Sequence, residues 1–198
     1  MTAHRAFRSL LLSTLLVLAG ESWAGPPDPG HCQLEPIIVG NSNGALIGDG
    51  YRVIVRDMNG NLLGGISVEL RFPGTGANPY QQQNVPATSQ CMGGRYISKD
   101  TDANGLVVFQ PRFGGYENGA GVTVKGNIVN LGSVRARSTD INSDGATAVG
   151  DFNLFRINFL FNPAAAETDF NEDGMTAVGD FDIFRKVFLF DSPGTPCP

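Results

Sequence analysis

The sequence predicts a mainly β sandwich followed by a small α-helical unit made of two tandem loop–helix repeats. Three observations carry that reading. Seven short apolar–polar alternations, each bounded by turn residues, run between about residues 35 and 138. At Ser138–Thr139 that period stops, and Asp, Asn and regularly spaced Phe take over. From Thr139 the chain reads TDINSDGATAVGDFNLFRINFLF, and from Thr168 it reads TDFNEDGMTAVGDFDIFRKVFLF, with 16 of 23 positions identical.

Residues 1–24 have the pattern of an export signal. His4, Arg5 and Arg8 give a basic start, the apolar run Leu10 to Leu18 is too short to span a bilayer, and Ser22-Trp23-Ala24 offers a small-x-small cleavage site. The expected mature chain is secreted and does not span the membrane. It loses Trp23, keeps His31 as its single histidine, and moves from a formal charge of −5 to about −6. Charged residues are 17% of the chain and form no basic stripe, which speaks against nucleic acid as a partner. Gly, at 26 residues, favours strands and tight turns over long surface helices.

Residues 25–34 are a Pro/Gly-rich leader that begins GPPDPG. Three cysteines remain after it is exposed: Cys32, Cys91 and Cys197. An oxidising compartment lets two of them pair. Cys32 with Cys91 would tie the start of the β region to its middle; Cys197 is the other available partner or a free thiol.

The β region, residues 35–137, is built from EPIIVG near Ile37, YRVIVRD at 51–57, ISVELRF at 66–72, RYISKDT at 95–101, GLVVFQP at 105–111, GVTVKGNIV at 121–129 and GSVRARS at 132–138. In Tyr51-Arg52-Val53-Ile54-Val55-Arg56 and Val68-Glu69-Leu70-Arg71-Phe72, apolar and polar side chains tend to alternate, as half-buried strands require. MNGN at 58–61, PGTG at 73–76, DANG at 102–105 and FGGYENG at 113–119 supply the turns. Residues 74–90 carry no strand pattern and read as a long loop or an irregular edge. The run RDMNGNLLGGISVELRF, and Thr101-Asp102-Ala103-Asn104-Gly105 ahead of Leu106-Val107-Val108-Phe109, resemble bacterial Ig-like and carboxypeptidase-regulatory-like domains. The resemblance implies an Ig-like antiparallel sandwich.

The repeat places oxygen side chains at fixed offsets. Numbered from its first Asp, each loop has Asp140, Asn142, Asp144 and Asp151, or Asp169, Asn171, Asp173 and Asp180, at positions 1, 3, 5 and 12, with Gly145 or Gly174 at 6. That is the EF-hand loop with Asp as its last ligand. Calcium wants six to eight oxygens, which a short loop supplies only by wrapping around it. Alternate residues turn oxygen inward, Gly permits the sharp bend, the carbonyl at position 7 (Ala146, Met175) adds a ligand, and the last carboxylate comes from the following helix. Two calcium ions are expected. Position 9 is Ala148 or Ala177, so water alone completes the shell there, and position 8 is Thr147 or Thr176 in place of an apolar residue. Both point to moderate affinity. Phe152, Phe155 and Phe159, and again Phe181, Phe184 and Phe188, fall at helical spacing and are expected to form the mutual core of two short helices.

Tandem loop–helix units of this kind over residues 138–191, followed by a tail at 192–198, resemble the dockerin type I domain. The resemblance implies two calcium-binding halves related by pseudo-symmetry. It also implies a cohesin-like or other extracellular protein partner, within polysaccharide-degrading machinery. The family's contact positions correspond to Val149 and Gly150, Val178 and Gly179, and the basic Arg156 and Arg185. The hydroxyl pair frequent in cohesin binders is Val-Gly here, which places this chain nearer to dockerin-like modules that stand outside cellulosomes.

Catalysis is not expected. His31 alone, in the leader, gives no base for a Ser–His–Asp or Cys–His arrangement and too few ligands for zinc. The acids available to a glycosidase in the β region are Asp57 and Glu69, which read as solvated surface groups. A carbohydrate-binding or adhesive β region is the alternative function. Its aromatic platforms would come from Tyr51, Tyr80, Tyr96 or Tyr116.

Overall fold

The computed structural model describes residues 25–42, 47–80 and 95–188. The export signal, Cys91, Cys197, most of the 74–90 stretch and the C-terminal tail lie outside the described residues. Short elements come first: β1 (Gln33–Leu34), β2 (Ile37–Gly40), β3 (Tyr51–Ile54), β4 (Ser67–Arg71), β5 (Asn78–Pro79), β6 (Tyr96–Asp100), β7 (Leu106–Phe109) and β8 (Phe113–Gly114). Two long strands, β9 (Tyr116–Gly126) and β10 (Val129–Ser138), lead into the helices α1 (Val149–Phe161) and α2 (Val178–Phe188). Among the described residues no helix is long and apolar enough to cross a membrane.

The alternation expected of each strand is present. Tyr51 and Val53 are buried while Arg52 is exposed, and Val68 and Leu70 are buried on either side of Glu69. The architecture differs from the Ig-like sandwich expected above. The main sheet has five strands in the order β2-β10-β9-β4-β6 and curls into a half-barrel. Its edge strand β2 runs parallel to β10, with Ile37 opposite Arg135 and Gly40 opposite Ser138. A three-stranded sheet, β1-β3-β7, and a two-stranded piece, β5-β8, complete the β body. The curl has a local cause: the β9–β10 pairing slips register between Asn130 and Gly132 and again between Val134 and Ala136, and such bulges bend and twist a strand pair. One core of Ile38, Val53, Val68, Leu70, Ile97, Val107, Phe109, Val122 and Val124, among others, joins the five- and three-stranded sheets.

A separate small helical domain is not seen either. The chain passes from β10 into the first loop without a break: Thr139 N–H donates to the Gly40 carbonyl at 3.2 Å, and Gly115 N–H donates to the Asp140 carbonyl at 2.7 Å. The helices meet over a small cluster of Phe155, Phe170 and Phe184, against which Val39 of β2 also packs. Three buried phenylalanines are too few to close a unit of this size, so the loops and helices lean on the β body instead.

Of the phenylalanines expected to form the helical core, Phe155 and Phe184 are buried, whereas Phe159 and Phe181 stay more than a third exposed. Phe170 takes their place. It stands at loop position 2, where its counterpart Ile141 also packs against the cluster.

Candidate metal centre

Both loops fold by the same local rules. The residue at position 4 is left-handed in each, with φ of 59° at Ser143 and 56° at Glu172, and so is the glycine at position 6, with φ of 98° at Gly145 and 93° at Gly174. Side-chain oxygens at 1, 3 and 5 then accept main-chain N–H groups two to five residues on, which bends the chain around them. In the first loop Asp144 N–H donates to Asn142 Oδ1 at 2.9 Å, Ala146 N–H to Asp144 Oδ1 at 3.1 Å and Gly145 N–H to Asp140 Oδ2 at 3.0 Å. In the second, Asp173 N–H donates to Asn171 Oδ1 at 3.0 Å, Met175 N–H to Asp173 Oδ1 at 3.0 Å and Gly174 N–H to Asp169 Oδ2 at 3.0 Å.

The last acid of each loop sits in the first turn of a helix, where the helix dipole favours a carboxylate. Asp151 accepts from Ala148 N–H at 2.9 Å and Asn142 N–H at 3.0 Å; Asp180 accepts from Ala177 N–H at 2.8 Å and Asn171 N–H at 3.0 Å. These bonds tie the start of the loop to its end. As a result one carboxylate oxygen from each of Asp140, Asp144 and Asp151 lies within 4.8 Å of the others, and the same holds for Asp169, Asp173 and Asp180. Each triad can hold a metal ion.

The donor set fits a cation in a second respect. Asp169 is 9% exposed, yet its Oδ1 is buried with no hydrogen-bond partner. A buried carboxylate oxygen left without a donor is costly unless a cation meets it. Burial pushes the Asp140 carboxyl up to about 6, and it also raises Asp151 and Asp180. Gathering like charges away from water does this, and a bound cation reverses it.

Searches against family models, curated proteins and solved structures find no match for this chain.

Several contacts around the loops have no counterpart in the sequence reading. Tyr80 donates its phenol proton to Asp140 Oδ2 at 2.5 Å. Burial, then this carboxylate, raise the Tyr80 phenol far above its ordinary value, so the proton stays on the tyrosine. The hydroxyls of Thr139 and Thr147 meet at 2.9 Å, and those of Thr168 and Thr176 at 2.6 Å, one pair per loop. The signal that could have shown it was a Thr before the first Asp and another at position 8 of both copies. The position-8 N–H groups bond outside their own loops: Thr147 donates to Ser42 Oγ at 3.1 Å and Thr176 to the Pro163 carbonyl at 2.6 Å. Glu172, at position 4 of the second loop, pairs with Arg135 and, at 3.6 Å, with the buried Arg137 of β10.

Val149, Gly150, Val178, Gly179, Arg156 and Arg185 are all exposed, and Arg185 also binds Asp182 at 2.8 Å. Arg156 and Val178 line an apolar groove of about 220 Å³ with Phe152, Phe155, Phe159 and Phe181. Of the aromatic platforms considered for a carbohydrate, Tyr51 and Tyr80 are buried, and Tyr96 lies under the Arg71 guanidinium at 4.7 Å; Tyr116 is 39% exposed. Asp57 is not the solvated acid expected. It is fully buried, accepting from Asn59 and Asn61 N–H and from the Asn61 amide, each at 2.9 Å. The Asn61 amide, with those N–H groups, holds its carboxyl below the usual range. Glu69 pairs with Arg71. Cys32 is half-buried with its thiol against the Arg56 backbone, while its expected partner Cys91 lies outside the described residues.

Proposed function

We propose that this is an exported, non-catalytic calcium-binding protein whose two dockerin-type loop–helix repeats each take one Ca²⁺ and attach the β body to an extracellular protein partner. The observation that carries it is the convergence of three carboxylates in each of two in-register loops, one with a buried oxygen lacking any donor. The donors are all oxygen, with no thiol or imidazole among them, which selects a hard cation. Calcium accepts six to eight oxygens in flexible geometry, including main-chain carbonyls, whereas magnesium demands a near-ideal octahedron and keeps several waters, so a wrapping loop of this composition suits calcium. Asn142, Asn171 and the carbonyls of Ala146 and Met175 would complete the sets. The exposed Val149, Gly150, Arg156, Val178, Gly179 and Arg185 give the repeats a face for a partner.

Calorimetric titration of the secreted chain, stripped with chelator, tests this. Two sites of micromolar to millimolar affinity for Ca²⁺, with weaker response to Mg²⁺, are expected. A chain that takes up no calcium overturns the reading. Binding to a purified cohesin module in calcium but not in chelator selects attachment; two calcium sites without such binding select structural capping of the β body.

A further inference from the structure

Asp140 and Asp169 hold the same place in two nearly identical loops, yet their carboxylates meet different surroundings. Asp169 Oδ2 accepts from Gly174 N–H at 3.0 Å, and its Oδ1 is buried without a partner. Asp140 Oδ2 accepts from Gly145 N–H at 3.0 Å and also from the Tyr80 hydroxyl at 2.5 Å, while Oδ1 accepts from Asp144 N–H at 3.2 Å. Tyr80 comes from a distant part of the chain and is 1% exposed.

The β body is built to deliver that phenol. In the β5–β8 ladder Pro79 stands opposite Phe113, and Tyr80 N–H continues the pairing by donating to the Arg112 carbonyl at 2.8 Å. Gly114, opposite Asn78 in the same ladder, lies against the Tyr80 hydroxyl. A side chain there would bring its Cβ to 2.1 Å from the Tyr80 oxygen and 2.8 Å from Asp140 Oδ2, so only glycine leaves room for the contact. The next residue, Gly115, binds the Asp140 carbonyl through its N–H at 2.7 Å. Backbone and side chain of Asp140 are thus both fixed from outside the loop.

We propose that Tyr80 is a positioning residue for the first metal site alone, so that the β body pre-organises one calcium loop while the other is organised by its ion. This rests on the calcium reading above. A donor behind a ligating carboxylate fixes its orientation, and loss of such a partner typically weakens metal affinity 10–100-fold. The second loop has no such donor at Asp169 Oδ1.

The test uses Ca²⁺ calorimetry and Tb³⁺, an oxygen-loving stand-in for calcium whose emission is sensitised by a nearby tyrosine. Tyr80→Phe keeps the ring and removes the hydroxyl. It is expected to weaken one of the two calcium sites about tenfold, leave the other unchanged, and abolish most tyrosine-sensitised terbium emission. Asp180→Asn, which leaves the first loop intact, should retain that emission; Asp151→Asn, which leaves the second, should lose it. These two variants decide the matter even where Tyr80→Phe fails to fold. Equal weakening of both sites by Tyr80→Phe, or no change at either, overturns the proposal. So does sensitised emission that survives in Asp151→Asn. An unsubstituted chain that binds neither ion overturns the calcium reading itself, which is a distinct result.

Discussion

The first loop begins where β10 ends, and the second begins after α1 and a short connection. Their Asp and Asn positions, left-handed residues and most internal hydrogen bonds are the same, although the Asp144 N–H bond to Asp140 Oδ1 has no counterpart at Asp169 Oδ1. Their anchors are not. The first is held by the β body through Gly40, Ser42, Tyr80 and Gly115. The second is held largely by its own neighbourhood, with Thr176 N–H on the Pro163 carbonyl and the Thr168 hydroxyl on that of Ala165, and reaches the β body through Glu172. Identical local grammar therefore yields two sites of unequal support. What a dozen residues encode is a shape for a cation; how firmly that shape is kept depends on what it rests against.

The largest expected effect tests what the loops share. Phe184 is fully buried, with ring centroids 5.4 Å from Phe155 and 5.6 Å from Phe188. Phe184→Ala is expected to cost about 3–5 kcal/mol in chemical denaturation and to weaken both calcium sites together, because one small cluster backs both helices. Phe161→Ala, at a position 80% exposed, should change stability by less than about 0.5 kcal/mol. Were Phe184→Ala to disable one site and spare the other, the two halves would not share a core.

A smaller effect separates the anchors. Glu172 is the acid in ion-pair contact with the buried Arg137, so Glu172→Gln leaves that guanidinium with carbonyl hydrogen-bond partners and the charges of Asp169 and Glu167 at longer range. Arg135 is half exposed, which softens the loss, and about 2 kcal/mol is expected. Because this contact docks the second loop on β10, the loss should appear equally in calcium and in chelator. A loss confined to the calcium form would mean that Glu172 acts through the ion.

The sequence made the local parts of this comparison visible and hid the distant ones. Alternation at Tyr51-Arg52-Val53 locates a strand because burial of every second side chain is a local property. It carries no information on sheet membership, so the parallel pairing of Ile37 with Arg135, nearly 100 residues apart, and the resulting half-barrel were not legible. Two-residue strands such as β5 and β8 are shorter than any period, yet they bring Tyr80 to Asp140. The two acidic triads, Asp140, Asp144 and Asp151 and Asp169, Asp173 and Asp180, were legible because a loop that gathers its own oxygens must place them at fixed offsets. Phe170 was not, since it stands among those ligands and off the helical spacing of the other phenylalanines. A hydrophobic residue at position 2 of both copies was the available signal.

The smallest effect expected is the dependence of the first site on acid. Burial raises the Asp140 carboxyl to about 6, against an ordinary value of 3.8. A carboxylic acid whose folded value lies above its unfolded one contributes stability below the unfolded value and loses it as pH rises through the folded one. The chelator-treated protein should therefore lose stability between about pH 4 and pH 6 on this account. Calcium reverses the sign, since it binds the ionised carboxylate and must displace the proton. Affinity at the first site, isolated in Asp180→Asn, is expected to fall about tenfold from pH 7 to pH 5, which is about 1.4 kcal/mol. Tyr80 sharpens this. Its hydrogen bond favours the ionised form of Asp140, so Tyr80→Phe should move the fall toward higher pH. A pH profile that does not respond to Tyr80→Phe would mean that the carboxylate is set by the loop alone, and the two copies would then be closer to equal than their surroundings suggest.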